Sequence, residues 1–413
     1  MADERPRYTV LSPRAITIAG VVLLVAGVGL AVLLVWAYGG GTDAERNKLD
    51  AIRTAGTLVV GAGGAGALWL AARRQRTTEI SLRQKEHDQS QIDRTHRLNE
   101  QTAENNRADA VERLLTELYG KAVEQLGSDK PAVRMGGMFA LERLAQTMPE
   151  QRQTIVNVLC AYLRMPPADD GTETQVRTTA QAILTKHLRP GAGALFWEDT
   201  DLDLGGARLT ELDLSGCVVR HAVFRGGHLT GRTTFRQASF TDITFDEAVV
   251  ADEVWFDELV VDGESSWQRT RFAGAAMFEG AVLRGRARFD RLECTGQAVF
   301  VGVDFGGDVS FDAAVFHRDT RFSRAVFRRL ASFDGVGFAQ QARFTGACFA
   351  GEVVFDGIRC ADLRFDEVTA RIDVPADATR AWPPGFELGG SCPVPQGCSG
   401  TWGPVVSGNR GGR

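Results

Sequence analysis

A glycine-rich segment is the first feature of the sequence that suggests chemistry. Gly61-Ala62-Gly63-Gly64-Ala65-Gly66 matches the G-x-G-x-x-G pattern that holds the pyrophosphate of a dinucleotide. Leu58-Val59-Val60 could supply the preceding strand and Glu79 the ribose ligand, but the polar run 80–106 contains no second apolar strand. A nucleotide-dependent enzyme is therefore a lesser alternative, and packing of small residues between two membrane helices is the preferred interpretation.

Cysteine and histidine give equally sparse signals. Cys392 and Cys398 are the one pair that could form a disulfide or bind a metal, and the sequence leaves open whether they pair. His221, His228 and His317 have no cysteine or carboxylate partners at metal-ligand spacing. P-loop, G-x-S-x-G and H-E-x-x-H motifs are absent. We therefore expect a protein that is not an enzyme, with no catalytic residue, cofactor or metal.

Composition limits the class of protein further. The chain has 413 residues, a net charge of -5, 24% charged and 44% hydrophobic residues, which argues against disorder, collagen and a basic nucleic-acid-coating protein. Seven cysteines are an odd number in a long chain, so reduced thiols are expected rather than a secreted disulfide framework. The length indicates several structural units.

Two uncharged runs near the N-terminus predict membrane helices. Residues 15–37 and 54–72 contain no charged side chain, and the first run is long enough to cross about 30 Å of hydrocarbon. Basic residues precede the first run and follow the second, so we expect a cytoplasmic tail at 1–14, a short external loop at 38–53 and cytoplasmic termini. Whether the second run spans the bilayer completely stays open.

The middle of the chain has two predicted helical parts. Residues 73–110 are polar and lack glycine and proline, which predicts a helical stalk. Residues 111–190 carry apolar residues at helical spacing between capping and proline signals, which predicts a small helical domain. Within it, residues 127–146 resemble a HEAT or armadillo-like hairpin. Two interpretations stay open: the domain caps the structure that follows, or it is a docking surface.

Phenylalanine shows the strongest pattern in the chain. From Leu204 to Phe365, 31 positions separated by five or six residues carry mainly large apolar side chains, and we call them ladder positions. Twenty of the 23 phenylalanines occupy these positions. They are Phe224, Phe235, Phe240, Phe245, Phe256, Phe272, Phe278, Phe289, Phe300, Phe305, Phe311, Phe316, Phe322, Phe327, Phe333, Phe338, Phe344, Phe349, Phe355 and Phe365.

The ladder spacing is incompatible with a helix, because a step of five residues turns the side chain by about 140° around the helix axis. An extended chain satisfies it. A small or aliphatic residue lies two positions before most ladder positions, and residues i−2 and i share one face of a strand. Each repeat therefore directs one small and one large side chain inward before a corner. The phenylalanines are predicted to fill a core rather than a ligand-binding site.

This stretch resembles the pentapeptide-repeat family, whose A-(D/N)-L-x-x consensus is visible in Leu212-Asp213-Leu214 and Ala361-Asp362-Leu363. The resemblance implies a right-handed quadrilateral β-helix over residues 199–370, with four repeats per coil and nearly eight coils. The regular six-residue steps depart from the family's strict five. The whole arrangement also resembles bacterial membrane-anchored proteins of this family. It implies a multi-pass protein of the bacterial cytoplasmic membrane, with a Gly/Pro-rich C-terminal tail at 371–413.

Surface charge predicts where partners bind. Nine acidic residues and no basic residue lie between Asp242 and Glu264, and arginines dominate two later segments. We expect a bipolar docking surface for unknown protein partners, with ordinary solvated faces as the alternative. Its candidate residues are Asp252, Glu253, Asp257, Glu258, Arg284, Arg286, Arg288, Arg321 and Arg324.

The sequence thus predicts a non-enzymatic scaffold that contacts the lipid bilayer through two helices. A homo-oligomer stays open, and no nucleic acid is expected as a partner. Some pentapeptide-repeat proteins mimic duplex DNA and occupy type II topoisomerases. That function is the main alternative, but the sign of the charge reverses along this repeat region.

Overall fold

The computed structural model describes residues 13–38, 43–167, 171–375, 378–395 and 399–408. The chain divides into two compact units, Met1–Ala108 and Asp109–Arg413. Most of the predicted N-terminal tail and Cys398 lie outside the described residues. The two units are described separately below.

The first unit is helical. Helix α1 spans Pro13–Tyr38, and helix α2 spans Asp43–Leu126, so the unit holds α1 and the N-terminal part of α2. Among the residues described, no helix combines the length and the hydropathy needed to cross a membrane, which leaves the two predicted spans unsupported. Helix α2 begins inside the segment 38–53 that the sequence predicted as a loop.

Four helical segments open the second unit. The C-terminal end of α2 is followed by α3 (Pro131–Thr147), α4 (Arg152–Arg164) and α5 (Gly171–Leu188), with 3₁₀ turns at Pro149–Gln151 and Pro190–Leu195. Pro131 occupies the first turn of α3, where its missing N–H costs no hydrogen bond. The inward faces bury a compact apolar core. Its centre includes Leu141, Ile155, Leu159, Leu163 and Ile183.

A parallel β-solenoid of about eight coils follows, as the ladder predicted. Most of its strands are only two residues long because each side of the coil is short, and the strands form two hydrogen-bonded sheets. The first half of the strands are β1 (Leu202–Asp203), β2 (Arg208–Thr210), β3 (Val218–Val223), β4 (His228–Thr230), β5 (Thr233–Thr234), β6 (Ser239–Thr244), β7 (Val249–Val250), β8 (Val254–Trp255), β9 (Val260–Val261), β10 (Ser265–Ser266), β11 (Arg271–Phe272), β12 (Ala276–Met277), β13 (Val282–Leu283), β14 (Ala287–Arg288) and β15 (Glu293–Cys294). The second half are β16 (Ala298–Val299), β17 (Asp304–Phe305), β18 (Val309–Ser310), β19 (Val315–Phe316), β20 (Thr320–Arg321), β21 (Val326–Phe327), β22 (Ala331–Ser332), β23 (Gly337–Arg343), β24 (Cys348–Phe349), β25 (Val353–Val354), β26 (Arg359–Arg364), β27 (Thr369–Arg371), β28 (Arg380–Ala381), β29 (Phe386–Leu388) and β30 (Trp402–Ser407).

The pairing register shows how the six-residue steps are accommodated. Leu209 pairs with Leu229, 20 residues on, whereas Phe272 pairs with Cys294, 22 residues on. Four five-residue repeats make the shorter coil, and alternating five- and six-residue repeats make the longer one. Successive coils in the longer part keep the 22-residue register, so the extra residues lie at corners and leave the strands aligned. The handedness of the solenoid stays a prediction.

The interior of the solenoid consists of stacked aromatic rings. All twenty ladder phenylalanines are buried. Phe278 and Phe300 stack with centroids 5.0 Å apart, and so do Phe289 and Phe311 at 4.7 Å. Rings of one column meet those of the other edge to face, as Phe289 meets Phe300 at 5.5 Å. This alternation matches the preferred geometry of aromatic pairs and leaves the aromatic faces inaccessible to a ligand.

Two kinds of corner join the strands. The five-residue corners contain a turn residue with positive φ. Such a residue occurs every 11 positions from Glu247 to Gly357. In the six-residue corners the backbones of successive coils approach closely. A Cβ added at Gly285 would lie 2.0 Å from the carbonyl oxygen of Gly263, one coil earlier. Glycine is needed there because the backbone leaves no space for a side chain.

The helical domain covers the first coil of the solenoid. Four side chains donate hydrogen bonds to backbone carbonyl oxygens of that coil. They are spaced four residues apart, three on one face of α5 and one just beyond its end. The pairs are Arg177 to Arg208 (2.9 Å), Gln181 to Thr210 (3.0 Å), Thr185 to Asp213 (2.8 Å) and Arg189 to Ser215 (2.8 Å). Without these contacts the first coil would expose unpaired backbone N–H and C=O groups at its edge, so the helical domain acts as an N-terminal cap.

The predicted C-terminal tail contains a second cap. Strand β30 pairs antiparallel with β27 and β29. Trp402 and Val405 of this strand are buried, and the ring of Phe386 lies 5.0 Å from that of Phe365 at the end of the ladder. The described part of 371–413, which the sequence predicted as a Gly/Pro-rich tail, therefore contains strands that pair with the end of the solenoid. Glycine and proline dominate this segment without a repeat, which hides its few buried aromatic residues from sequence reasoning.

Candidate functional site

One outward row of side chains defines the candidate site. In strands β8, β12, β16 and β20, Trp255, Met277, Val299 and Arg321 stand directly above one another in parallel register. Their neighbours in the strand point into the core, so this row faces outward. Adjacent strands are about 4.8 Å apart, so Trp255 and Arg321, which are three strands apart, lie about 14 Å from each other along the solenoid. We call the surface around this row the bipolar face.

The first end of the bipolar face is acidic. Asp252 and Glu253 precede β8, Asp257 and Glu258 follow it, and three of the four are exposed, Asp257 being half-buried. Asp257 pairs with Arg236 of the previous coil at 3.0 Å. The guanidinium carbons of Arg232 and Arg236 lie over the Trp255 ring, 5.3 Å and 5.4 Å from its centroid. The remaining three carboxylates form no ion pair in the described part of the chain.

The other end of the bipolar face is basic. Arg318 and Arg324 are exposed at the corners before and after β20, and Arg321 is half-buried on the strand itself. Asp319 is the one acidic residue among them. Within the residues described, none of the three arginines takes part in an ion pair. Arg318 and Arg324 are therefore available to an external negative charge, whereas the Arg321 guanidinium donates to the side-chain amide oxygen of Gln297 at 3.1 Å.

The centre of the bipolar face is nearly uncharged and flat. Met277 is half-buried and Val299 is 4% exposed. Gly274 and Gly296 occupy the corner before the strands, and Gly280 and Gly302 occupy the corner after them. Since glycine has no side chain, little projects from the centre of the face, and a partner surface could approach the backbone closely.

A different corner holds the other arginines of the predicted docking surface. Arg284 pairs with Asp262, and Arg288 lies 3.4 Å from Glu264, each partner being one coil away. Arg286 lies 3.9 Å from Asp308 in the next coil. Such exposed pairs contribute little to stability, but they neutralise this corner. The structure therefore divides the predicted residues into two groups, and only Asp252, Glu253, Asp257, Glu258, Arg321 and Arg324 share the bipolar face.

The sequence placed Arg318 in a basic segment without selecting it as a docking residue, and it missed Glu279 and the apolar centre of this face. Glu279 follows Asp257 by one coil, and its backbone N–H donates to the Asp257 carboxylate at 3.2 Å. The 22-residue register is the signal that could have placed these residues on one face. Counting charges along the chain cannot do so, because residues of adjacent coils are far apart in sequence.

The buried cysteines lie in apolar surroundings. Desolvation raises the pKa of the Cys160, Cys217 and Cys294 thiols to about 12. A thiol with such a pKa stays protonated at neutral pH and is a poor nucleophile. Cys392 is a free cysteine, and its predicted partner Cys398 lies outside the described residues.

Two histidines of the solenoid each contact a single carboxylate. His221 lies 2.8 Å from Asp242, and His317 lies 3.4 Å from Glu293. Over the described residues, no group of three or more potential ligands could hold a metal ion. These histidines therefore belong to ordinary surface ion pairs when they are protonated.

The glycine-rich segment lies within a helix. Residues 58–66 are helical and belong to α2 rather than to a strand, a turn and a new helix. A dinucleotide site needs free backbone N–H groups at a helix N-terminus, and mid-helix N–H groups are already bonded. The dinucleotide site that the sequence offered as an alternative for this segment is therefore wrong on this geometry. Among the described residues, a Cβ added at Gly61, Gly63 or Gly64 would meet nothing within 4 Å, so the predicted small-residue helix packing is not seen at these three positions.

An apolar groove lies between α2 and α3 of the cap. Val111, Leu114 and Leu118 line one wall, and Phe139 lines the other. Each of these four side chains is roughly half exposed, the largest fraction being 55% for Leu114. The cap thus has both a structural role and an exposed apolar surface.

Comparison with known families agrees with this architecture. Residues 278–326 match the family model described as pentapeptide repeats (9 copies). Over these residues the solenoid has the repeats of the pentapeptide-repeat family. No curated protein and no solved structure is significantly similar to the chain.

Proposed function

We propose that the protein is a non-enzymatic interaction scaffold whose solenoid presents the bipolar face to protein partners. The observation that carries this proposal is the contrast between two surfaces of one solenoid. At the corner of Arg284 and Arg288 the charges are paired within the chain, whereas on the bipolar face the exposed Glu258 and Arg324 have no ion-pair partner among the described residues.

Unpaired charges of both signs suit a docking surface. They are well solvated in the free protein, and opposite charges on a partner accelerate encounter and fix its orientation. The stacked core holds the strands beneath them in one arrangement, so binding does not require the face to become ordered first. This function needs no reactive side chain.

The experiment compares neighbours of the intact chain by proximity labelling in cells. One variant replaces Arg318, Arg321 and Arg324 with Glu, and the control is Arg291→Glu, which reverses a charge at an exposed corner away from the bipolar face. We expect a set of labelled proteins that the triple variant loses and the control keeps. Identical sets for the wild type and the triple variant would contradict the proposed function.

We also propose that the N-terminal region attaches the protein to the cytoplasmic membrane, with both termini in the cytoplasm. This rests on the uncharged run 15–37 and on large apolar side chains that α1 leaves exposed, such as Val25 at 63% and Trp36 at 88%. Lipid would remove these side chains from water. The full chain should remain in the membrane pellet after carbonate or high-salt washing, and release into the supernatant would contradict attachment.

The DNA-mimic alternative has less support. Mimicry requires negative charge along the solenoid, but the bipolar face changes sign between Glu258 and Arg324. Inhibition of a type II topoisomerase by the purified full chain would nevertheless favour this alternative over a scaffold.

A further inference from the structure

The charge distribution of the bipolar face is complementary to itself. Its acidic and basic ends lie on coils three steps apart, on either side of the uncharged centre at Met277 and Val299. Glu258 and Arg324 occupy equivalent corner positions, each three residues after the outward strand residue of its own coil. We infer that the partner of this face is a second copy of the same chain, bound antiparallel through the bipolar face.

A twofold axis lying in the interface between Met277 and Val299 produces this pairing. The axis runs parallel to the strands. The second solenoid therefore points in the opposite direction, and the corner before the strands in one copy faces the corner before the strands in the other. Glu258 of one copy therefore meets Arg324 of the other, and Asp252 meets Arg318. Glu253 meets Asp319, so the opposite-charge pairs outnumber the single like-charge pair. Such an isologous contact is closed, and each charge pair forms twice.

The row on the strands agrees with the same arrangement. Trp255 of one copy faces Arg321 of the other, but the guanidinium groups of Arg232 and Arg236 of its own chain already lie over the indole, so this pair contributes apolar contact and no new cation–π interaction. The glycines at both corners of the centre let two sheets approach to the usual distance of about 10 Å. A parallel dimer would instead place acidic end against acidic end, which like-charge repulsion disfavours.

The inference rests on the proposed function of this face, but the two can fail separately. If the triple variant loses labelled proteins but the wild type does not self-associate, the proposed scaffold function stands and the inference of a second copy is rejected. Self-association is measured by sedimentation of the purified full chain in a mild detergent, at about 50 mM and about 500 mM salt. The variants are Glu258→Arg, Arg324→Glu and the double exchange.

Both replaced residues have positive φ and no ion pair among the described residues, so the exchanges alter charge without changing backbone strain. We expect the wild type to dimerise at low salt. Each single variant should have about tenfold lower dimerisation affinity, because each substitution acts twice in the dimer. The double exchange should restore the affinity to within about threefold of the wild type. Arg291→Glu, also at a positive φ, should associate like the wild type.

Three results would overturn the inference. The wild type could remain monomeric at concentrations up to about 100 µM, where even weak specific contacts are populated. Single variants could associate as tightly as the wild type, which would place the contact elsewhere. The double exchange could also be weaker than both single variants, which would show that Glu258 and Arg324 do not face each other.

Discussion

Phe289 and Phe311 are 22 residues apart in sequence, yet their rings stack with centroids 4.7 Å apart and planes inclined by 8°. The relationship repeats one coil on, where Phe311 stacks on Phe333 at 5.1 Å. Each ring thus supports the coil before and the coil after it. The solenoid is consequently sensitive to the loss of one ring in the middle of a column.

Replacing Phe311 with Ala should lower the free energy of unfolding by about 3–5 kcal/mol, because it removes a buried ring and leaves a cavity. Urea denaturation of the full chain measures this. Phe139→Ala is the control, since Phe139 is 52% exposed and should cost about 1 kcal/mol or less. Equal effects of the two substitutions would contradict the stacked core.

Gly285→Ala should destabilise the solenoid by at least about 2 kcal/mol, because the new Cβ would collide with the backbone of Gly263. The control is Gly337→Ala, also in the solenoid, where an added Cβ meets nothing within 4 Å. Thermal unfolding compares the two variants. If Gly285→Ala were as stable as Gly337→Ala, the coils could not be stacked as closely as described.

Ala313→Gly should stabilise the protein by up to about 1 kcal/mol, because Ala313 has φ 55° at a corner where glycine is preferred. The reverse exchange, Gly302→Ala, occupies the equivalent turn position with φ 67° and open space around it. It should destabilise by a similar amount. Opposite signs in denaturant titrations are expected, and equal signs would refute the turn geometry.

Stability should fall as the pH rises from about 9 towards 12. The folded state keeps the Cys217 and Cys294 thiols protonated up to a pKa of about 12, whereas the unfolded chain releases these protons near the ordinary thiol pKa of 9.0. Each thiol contributes a slope of about 1.4 kcal/mol per pH unit in this window. Cys294→Ala should remove one such slope from the stability profile, and an unchanged profile would show that this thiol is accessible to water.

The sequence predicted the core well because ladder positions report burial directly. A residue such as Phe311 must face inward whichever coil lies next to it, so spacing alone identifies it. Which charged residues are neighbours could not be predicted in this way, because it depends on the number of residues in each coil. Arg284 and Asp262 lie in segments that the sequence read as separate basic and acidic zones, yet the coil length makes them neighbours.

The C-terminal segment shows a second limit. Trp402 and Phe386 contribute to the C-terminal cap, but they occur singly among glycine and proline, without periodicity that could indicate burial. Their position follows from the open edge of the last coil, which any neighbouring strand can pair with. Sequence reasoning identified the repeats and overlooked the strand that closes them.

The most direct test of the account is the accessibility of Met277 at the centre of the bipolar face. Hydroxyl-radical footprinting of the intact chain at low and high salt compares its oxidation with that of Met165, which is 55% exposed on the cap. If the bipolar face is the contact surface, Met277 should be protected at low salt and lose that protection at high salt or in Glu258→Arg, while Met165 reacts equally throughout. Oxidation of Met277 that is independent of salt and of this substitution would contradict the central claim.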